Sequence, residues 1–194
     1  MHVPPHEPMA LPEPLSAPAS DAALIAAWRG GDEQAAAELV RRHARPLARF
    51  LAGAGAPDAE LDDLVQETFI RAFRGVQRFR GQCQFRTWLL AIGANALKDY
   101  GRRGRAVRRL VPLEDGVRDA GGTPHELVEA DEAGARLAAG LRTLPRLQRD
   151  VFLLRAQQGL DYGEIAAALA TTPGAARVHY NHAVRRLKEM LREE

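Results

Sequence analysis

The sequence predicts an all-α protein, two small helical domains joined by a flexible linker, with the C-terminal domain containing a helix-turn-helix. Three observations lead there. Apolar residues recur at spacings of three and four, as in Phe85, Trp88, Leu89 and Ile92, which sets them on one face of a helix. No segment shows the strict alternation of a half-buried strand. Between residues 106 and 122 the periodicity lapses at Pro112, Gly116 and the Gly121-Gly122 pair, as expected where one domain gives way to another.

Half of the twelve prolines fall in the first eighteen residues, where large apolar groups are too few to offset the entropy of ordering. Residues 1–20 therefore read as a disordered tail. Ser20 caps a first short helix carrying Leu24, Ile25 and Trp28, which Gly30-Gly31 ends. Asp32 caps a longer one through Leu39, Val40, Leu47, Phe50 and Leu51, and Pro46 should kink or split it. A third helix, at about 59–76, places Leu61, Leu64, Val65, Thr68, Phe69, Ala72 and Phe73 on one side. The fourth is anchored by Phe85, Trp88, Leu89 and Ile92 and leaves Arg86, Asn95, Lys98 and Asp99 on its polar side. After the linker, Thr123-Pro124 has the form of a cap followed by proline at the first helical position. Helices are expected over 124–141, 145–158, 162–170 and 173–191, divided by Pro145, Gly159 and the Thr172-Pro173 start. The domains are thus 21–105 and 123–194, with 106–122 between them.

At 194 residues, with 46% hydrophobic and 27% charged side chains, the chain can bury a core in each domain. No run approaches the roughly 18 apolar residues of a membrane span, and the N-terminus lacks the form of a signal peptide; a cytoplasmic protein without membrane insertion is expected. A single cysteine, Cys83, excludes internal disulfides and multi-cysteine metal sites. His179 and His182 are three apart but have no evident third ligand, so no metal or cofactor is expected. The six histidines form no pattern suited to nucleophilic or acid–base catalysis, and nothing argues for an enzyme.

The net charge of +2 conceals segregation. Residues 58–67 hold five acids (Asp58, Glu60, Asp62, Asp63, Glu67) and no base, whereas residues 101–110 hold five arginines (Arg102, Arg103, Arg105, Arg108, Arg109) and no acid. Arg177, Arg185, Arg186, Lys188 and Arg192 form a second basic set. Two basic surfaces suit two contacts with a polyanion, and an acidic one suits a protein partner. The stretch 79–100, running into the first arginine cluster, joins a short loop to an aromatic-anchored helix and can hold an unpaired DNA strand. Residues 164–178 form a short helix, a tight turn and a second helix, with small alanines letting the two approach, which is the helix-turn-helix plan. On the second helix Ala176, Tyr180, Ala183, Leu187 and Leu191 fall inward. Gly174, Arg177, Val178, Asn181, His182 and Arg185 fall outward. Arginine suits guanine, asparagine adenine, and valine a thymine methyl in a major groove, while Arg186, Lys188 and Arg192 suit phosphates.

Three segments together resemble extracytoplasmic-function (ECF) sigma factors, the smallest sigma-70 type initiation subunits. Residues 63–73 are similar to the helix that docks on the clamp helices of the RNA polymerase beta-prime subunit. The stretch 79–100 is similar to the loop and helix that melt and read the −10 element, and 144–155 with 159–166 to the start of the −35-reading domain. The resemblance implies binding to core RNA polymerase and to promoter DNA. It implies that Asp62, Asp63, Gln66, Glu67 and Phe69 contact the polymerase, and that Arg80, Gln82, Cys83, Gln84, Asn95 and Lys98 hold bases of the opened strand, with Arg102, Arg103 and Arg105 on adjoining phosphates. Gly174, Arg177, Val178, His179, Asn181, His182, Arg185 and Arg186 would meet the −35 element, and apolar surface near Val151, Phe152 and Leu153 the beta-subunit flap. An anti-sigma factor competing with core polymerase is implied as well.

The chain departs from the family pattern at 175–179, where Ala-Ala-Arg-Val-His replaces a Thr-Val-Lys-Ser-Arg type of run, at Gln82-Cys83-Gln84, and in the proline-rich tail. Two other classes compete. A stand-alone helix-turn-helix regulator needs neither the acidic helix nor the 79–100 segment, and a helical decoy of polymerase or of an inhibitor needs no base-reading residues.

Overall fold

The computed structural model describes residues 19–110 and 132–192, with side chains over 19–104 and 134–192. The proline-rich tail, residues 111–122 of the expected linker and the Thr123-Pro124 cap lie outside the described residues. Eight α-helices and no strand occur among the described residues, in two helical units.

In the first unit, α1 (Asp21–Arg29) begins where the Ser20 hydroxyl accepts from the Ala23 amide at 3.2 Å, and α2 (Glu33–Gly53) where the Asp32 carboxylate accepts from the Gln34 and Ala35 amides at 2.9 and 3.2 Å. Pro46 does not split α2. Leu39, Leu47, Phe50 and Leu51 are all buried on either side of it, so packing outweighs the one lost backbone hydrogen bond. A buried His43 ring lies 2.7 Å from the Asp21 carboxylate and ties α1 to α2. Next, α3 (Asp58–Gly75) runs into a 3₁₀ turn, Val76–Arg78. The fourth helix, α4 (Phe85–Leu110), continues through 106–110, which the periodicity assigns to the linker; no proline stands between Phe85 and Pro112, and a weak apolar pattern does not by itself end a helix. Leu89 and Leu90 of α4 pack with Leu39, Leu47 and Phe50 of α2 in the core.

The second unit comprises α5 (Glu132–Thr143), α6 (Arg146–Phe152) with a π-helical extension Leu153–Gln157, α7 (Tyr162–Leu169) and α8 (Pro173–Met190). The expected helix over 145–158 is present in extent, but its last turn is wound wide. Asp161 and Glu164 close a reciprocal capping box at the start of α7. Thr172 caps α8, with Pro173 in its first turn. The turn between α7 and α8 passes through Ala170, held left-handed at φ 51° and ψ 51°. Ile165, Ala176 and Ala183 are buried where the two helices join the core, and Leu187 packs at the other end of α8 against Gly140 of α5. Leu191, expected inward, is 47% exposed; it borders a groove of about 220 Å³ shared with Leu137, Leu187 and Met190, just past the end of α8.

The two units pack together, α4 against α7 and the C-terminal part of α2 against the π-helical segment.

Candidate nucleic-acid and partner interfaces

The acidic helix α3 buries Leu61, Leu64, Thr68, Phe69 and Ala72, which turns the opposite side outward. Asp62, Asp63 and Gln66 are exposed. Glu67 accepts from Arg71 at 2.7 Å, and Arg71 donates in turn to Asp99 of α4 at 3.1 Å, where Arg102 also donates at 3.1 Å. The Arg71 hydrogen bond, with Arg102 and Arg103 nearby, lowers the Asp99 carboxyl from its ordinary value. Phe69 is 5% exposed and its ring lies 5.8 Å from Phe73. Its side chain belongs to the core, which corrects its expected place on the contact face. Ile70, 39% exposed, stands on that face instead; it lies four residues after Gln66 and off the buried stripe, a signal present in the sequence.

The loop that follows is exposed at Arg80, Gly81, Gln82 and Gln84, and half-buried at Cys83. Gly81 turns it with φ +71°. Behind it Phe79 meets Trp88 at 4.9 Å and Phe85 at 6.1 Å between ring centroids. Phe85 is buried and Trp88 half-buried. Asn95 and Lys98 are exposed one turn apart on α4, with Arg102 and Arg103 beyond them; the Arg105 side chain lies outside those described. Burial pushes the Cys83 thiol up, and the Glu164 carboxylate adds to the effect, the opposite of the environment that activates a thiolate.

On α8, Gly174, Arg177, Val178, Asn181, His182, Arg185 and Arg186 are exposed, Val178 at 51%. His179 is half-buried, with Nδ1 withdrawn from solvent. The Arg177 guanidinium lies 5.2 Å from the centre of the Tyr162 ring. Tyr162 meets Tyr180 edge-on at 6.2 Å, and Tyr180 stacks on Phe152 at 6.0 Å. An aromatic ladder thus steadies the arginine at the start of the helix. Val151 and Leu153 are fully buried, so of the three residues expected at an apolar contact surface only Phe152 is partly accessible.

Sequence reasoning missed the seam between the two units. Arg86, expected on a solvated face, donates to the Gln158 carbonyl, and the buried Thr87 hydroxyl donates to Glu164 at 3.0 Å. Arg149 crosses the other way, donating to the Ala54 carbonyl at 3.1 Å. Beside it Gly55 (φ +97°) leaves room that a Cβ would take, 2.5 Å from the guanidinium. Asp150, 2% exposed, accepts from Arg146 at 3.2 Å through one oxygen only. Burial outweighs the two arginines and pushes its carboxyl up to about 6, and burial likewise lowers Arg149.

Comparison with known proteins matches this geometry. The family described as Sigma-70 region 2 matches residues 39–107, and that described as Sigma-70, region 4 matches residues 135–187. The RNA polymerase sigma factor NccH of Alcaligenes xylosoxydans is 32% identical over 182 residues, 91% of this chain and 97% of that protein. CnrH of Cupriavidus metallidurans is 32% identical over 181 residues, 89% and 94% of the two chains. The solved structure of CnrH in complex with the cytosolic domain of CnrY superposes with a TM-score of 0.68 at 29% identity, covering 90% of this chain and 98% of that one. The sigma factor RpoE of Bartonella quintana, solved with the anti-sigma factor NepR, shares the fold at TM-score 0.65 and 24% identity, covering 79% of this chain and 94% of that one. An acidic helix, an exposed loop on an aromatic-anchored helix and a helix-turn-helix, in that order and over nearly the full length of these relatives, are the parts of one kind of protein, and the chain belongs to the ECF sigma factors of the sigma-70 family, which bind core RNA polymerase, direct it to promoters through −35 and −10 elements and assist promoter melting.

Proposed function

We propose that three exposed surfaces divide the work of initiation. The face of α3 formed by Asp62, Asp63, Gln66 and Ile70 docks on the clamp helices of the beta-prime subunit, with Glu67 contributing through its pair with Arg71 and Phe69 supporting the helix from beneath. The loop residues Arg80, Gln82, Cys83 and Gln84, with Asn95 and Lys98, hold bases of the opened non-template strand, since a base out of the stack needs polar partners and a pocket. Arg102, Arg103 and Arg105 hold phosphates. On α8, Arg177, Val178, Asn181 and His182 read the −35 element, while Gly174, His179, Arg185 and Arg186 approach the backbone. Phe152 supplies the accessible part of a flap contact. The first domain then extends from residue 21 to the end of α4 rather than to 105, and the second spans 123–194. The protein acts in the cytoplasm as a non-catalytic subunit, and an anti-sigma protein covers the same surfaces.

The observation that carries this reading is the exposure pattern. Polar and charged side chains stand outward on three elements whose apolar sides are fully committed to the core. The packed arrangement is the resting one. Elements named −35 and −10 are roughly 25 base pairs apart, about 85 Å of duplex at 3.4 Å per pair, whereas α4 and α7 lie in hydrogen-bond contact. Promoter binding therefore requires the seam to open.

Transcription reconstituted with core polymerase tests the assignment. Asp63→Arg should abolish competition for core while the protein stays folded. Arg177→Ala should weaken −35 recognition by about 1–3 kcal/mol and relax it at one or two positions. Gln84→Ala and Asn95→Ala should slow strand opening, with partial rescue on a pre-melted promoter. Equal response of every −35 variant to Arg177→Ala would make that residue a phosphate contact, and wild-type permanganate reactivity in the loop variants would remove them from the mechanism.

A further inference from the structure

The start of the exposed loop is held from a helix that no reading of the loop includes. Arg29, the last residue of α1, reaches the end of α3. Its Nε and Nη2 donate to the Val76 carbonyl at 3.2 and 2.6 Å, and Nη2 donates also to the Phe79 carbonyl. These two carbonyls bracket the 3₁₀ turn, and Phe79 is the last residue before Arg80. They lie where a helical run ends, the place where a cation is favoured; the Val76 carbonyl also accepts from the Phe79 amide at 3.1 Å, and the guanidinium fills its second acceptor direction.

Both ends of the loop are thereby fixed. Upstream, Val76 is 2% exposed and clamped by the guanidinium. Downstream, Phe85 is 3% exposed, and the Trp88 amide donates to the Gln84 carbonyl at 3.2 Å. Arg29 in turn stands on a fixed base, since α1 buries Leu24 and Ile25 and its Trp28 ring lies 4.6 Å from Phe73. A planar fork can bridge two carbonyls at once; an ammonium is a single point of charge and does not reproduce that geometry.

We propose that Arg29 is a positioning residue for promoter opening: by bridging the Val76 and Phe79 carbonyls it fixes where residues 80–84 present their polar groups to unstacked bases. The inference rests on the reading of this loop as the base-holding segment. Loss of the bridge lets the loop start move, so fewer encounters capture a base as it leaves the stack.

The test uses holoenzyme reconstituted with Arg29→Ala, Arg29→Lys or, as a loop control, Gln84→Ala. Opening is followed by permanganate on a duplex promoter and on one with a pre-melted −10 region, and discrimination is measured across −10 base variants. Arg29→Ala should slow opening of the duplex about 10-fold, the scale of a lost charge-assisted hydrogen bond, yet stay within about twofold on the pre-melted template. It should also flatten the preference among −10 variants. Arg29→Lys, which keeps the charge and most of the packing, should fall nearer to Arg29→Ala than to wild type, and it carries the test if the alanine variant does not fold. Wild-type opening and preference in the Arg29 variants, with Gln84→Ala slow, would overturn this inference alone; wild-type behaviour in all three would overturn the loop reading beneath it. Equal loss on both templates, tracking weaker core binding, would reduce Arg29 to a structural role.

Discussion

Replacing Asp150 with asparagine should make the protein more stable at neutral pH and remove a dependence on pH that runs against the usual acid trend. The carboxyl is 2% exposed, one of its oxygens has no partner among the described residues, and its pKa is pushed up to about 6 from 3.8. A raised carboxyl pKa means that the folded state holds a proton the unfolded chain has released. Stability from this group is therefore complete below about 3.8 and is lost as pH rises through 6. The shift corresponds to about 3 kcal/mol of destabilisation at pH 7, of which about 1 kcal/mol returns by pH 5. Carboxylates held low, such as Glu38 at about 2 and Asp99, oppose this only below their unfolded values, outside the window from 7 to 5. Urea unfolding of wild type and Asp150→Asn across pH 5–8 measures it as a difference, which cancels groups the two proteins share. The variant should gain stability at pH 7, and the gap should narrow toward pH 5. A variant less stable at pH 7, or a gap that widens on acidification, would mean that Arg146 and Arg149 hold the carboxylate charged and that the burial argument is wrong.

Three further outcomes follow from local geometry. Ala170 is held left-handed at φ 51°, so Ala170→Gly relieves a steric cost of about 1–2 kcal/mol while loosening the unfolded chain; the net should be a thermal midpoint above wild type, and a lower one would show that the methyl packs usefully. Tyr162→Leu removes the ring beneath Arg177 and should weaken −35 binding by holoenzyme by about 0.5–1 kcal/mol, with no further loss when it is added to Arg177→Ala; additive losses would mean that the two residues act independently. Thr87→Val deletes the hydroxyl that donates to Glu164 across the seam and should shift a fluorescence distance between α3 and α8 toward separated domains, by about 0.5–1.5 kcal/mol in the equilibrium; an unchanged distribution would show that the apolar contacts alone hold the seam.

What could be read in the sequence and what could not divides along chemical lines. Ser20, Asp32 and the Thr172-Pro173 pair announced three helix starts because a cap is a side chain at a fixed place. The exposed faces of α3 and α8 followed from period, and Ile70 was open to the same reading, four residues beyond Gln66. Pro46 and the end of α4 were misplaced because local rules yield to packing in one case and lack a stop signal in the other. The seam had no local signal at all. Arg86 and Arg149 find carbonyl acceptors 72 and 95 residues away, and a backbone carbonyl is the same at every position. An arginine that will be committed across a fold therefore looks like an arginine on a solvated face.

That same seam sets the cost of the proposed opening. Of the five buried polar atoms without a partner among the described residues, Arg86 Nε and Arg149 Nε belong to the side chains that cross it. Each such atom has given up water without full compensation, at a cost of about 1–3 kcal/mol when nothing replaces the bond. The apolar cores of the two units bear no such penalty, since Phe50, Leu39, Leu47 and Leu51 on one side and Val151, Leu154 and Ile165 on the other are packed with their own kind. Separation at the seam would return the two guanidinium atoms to water and expose the apolar side chains that join the two units across it. The cost of opening is therefore a few hydrogen bonds together with the contacts of α4 with α7 and of α2 with the π-helical segment and α5, while each domain keeps the helices that present its loop or its recognition helix.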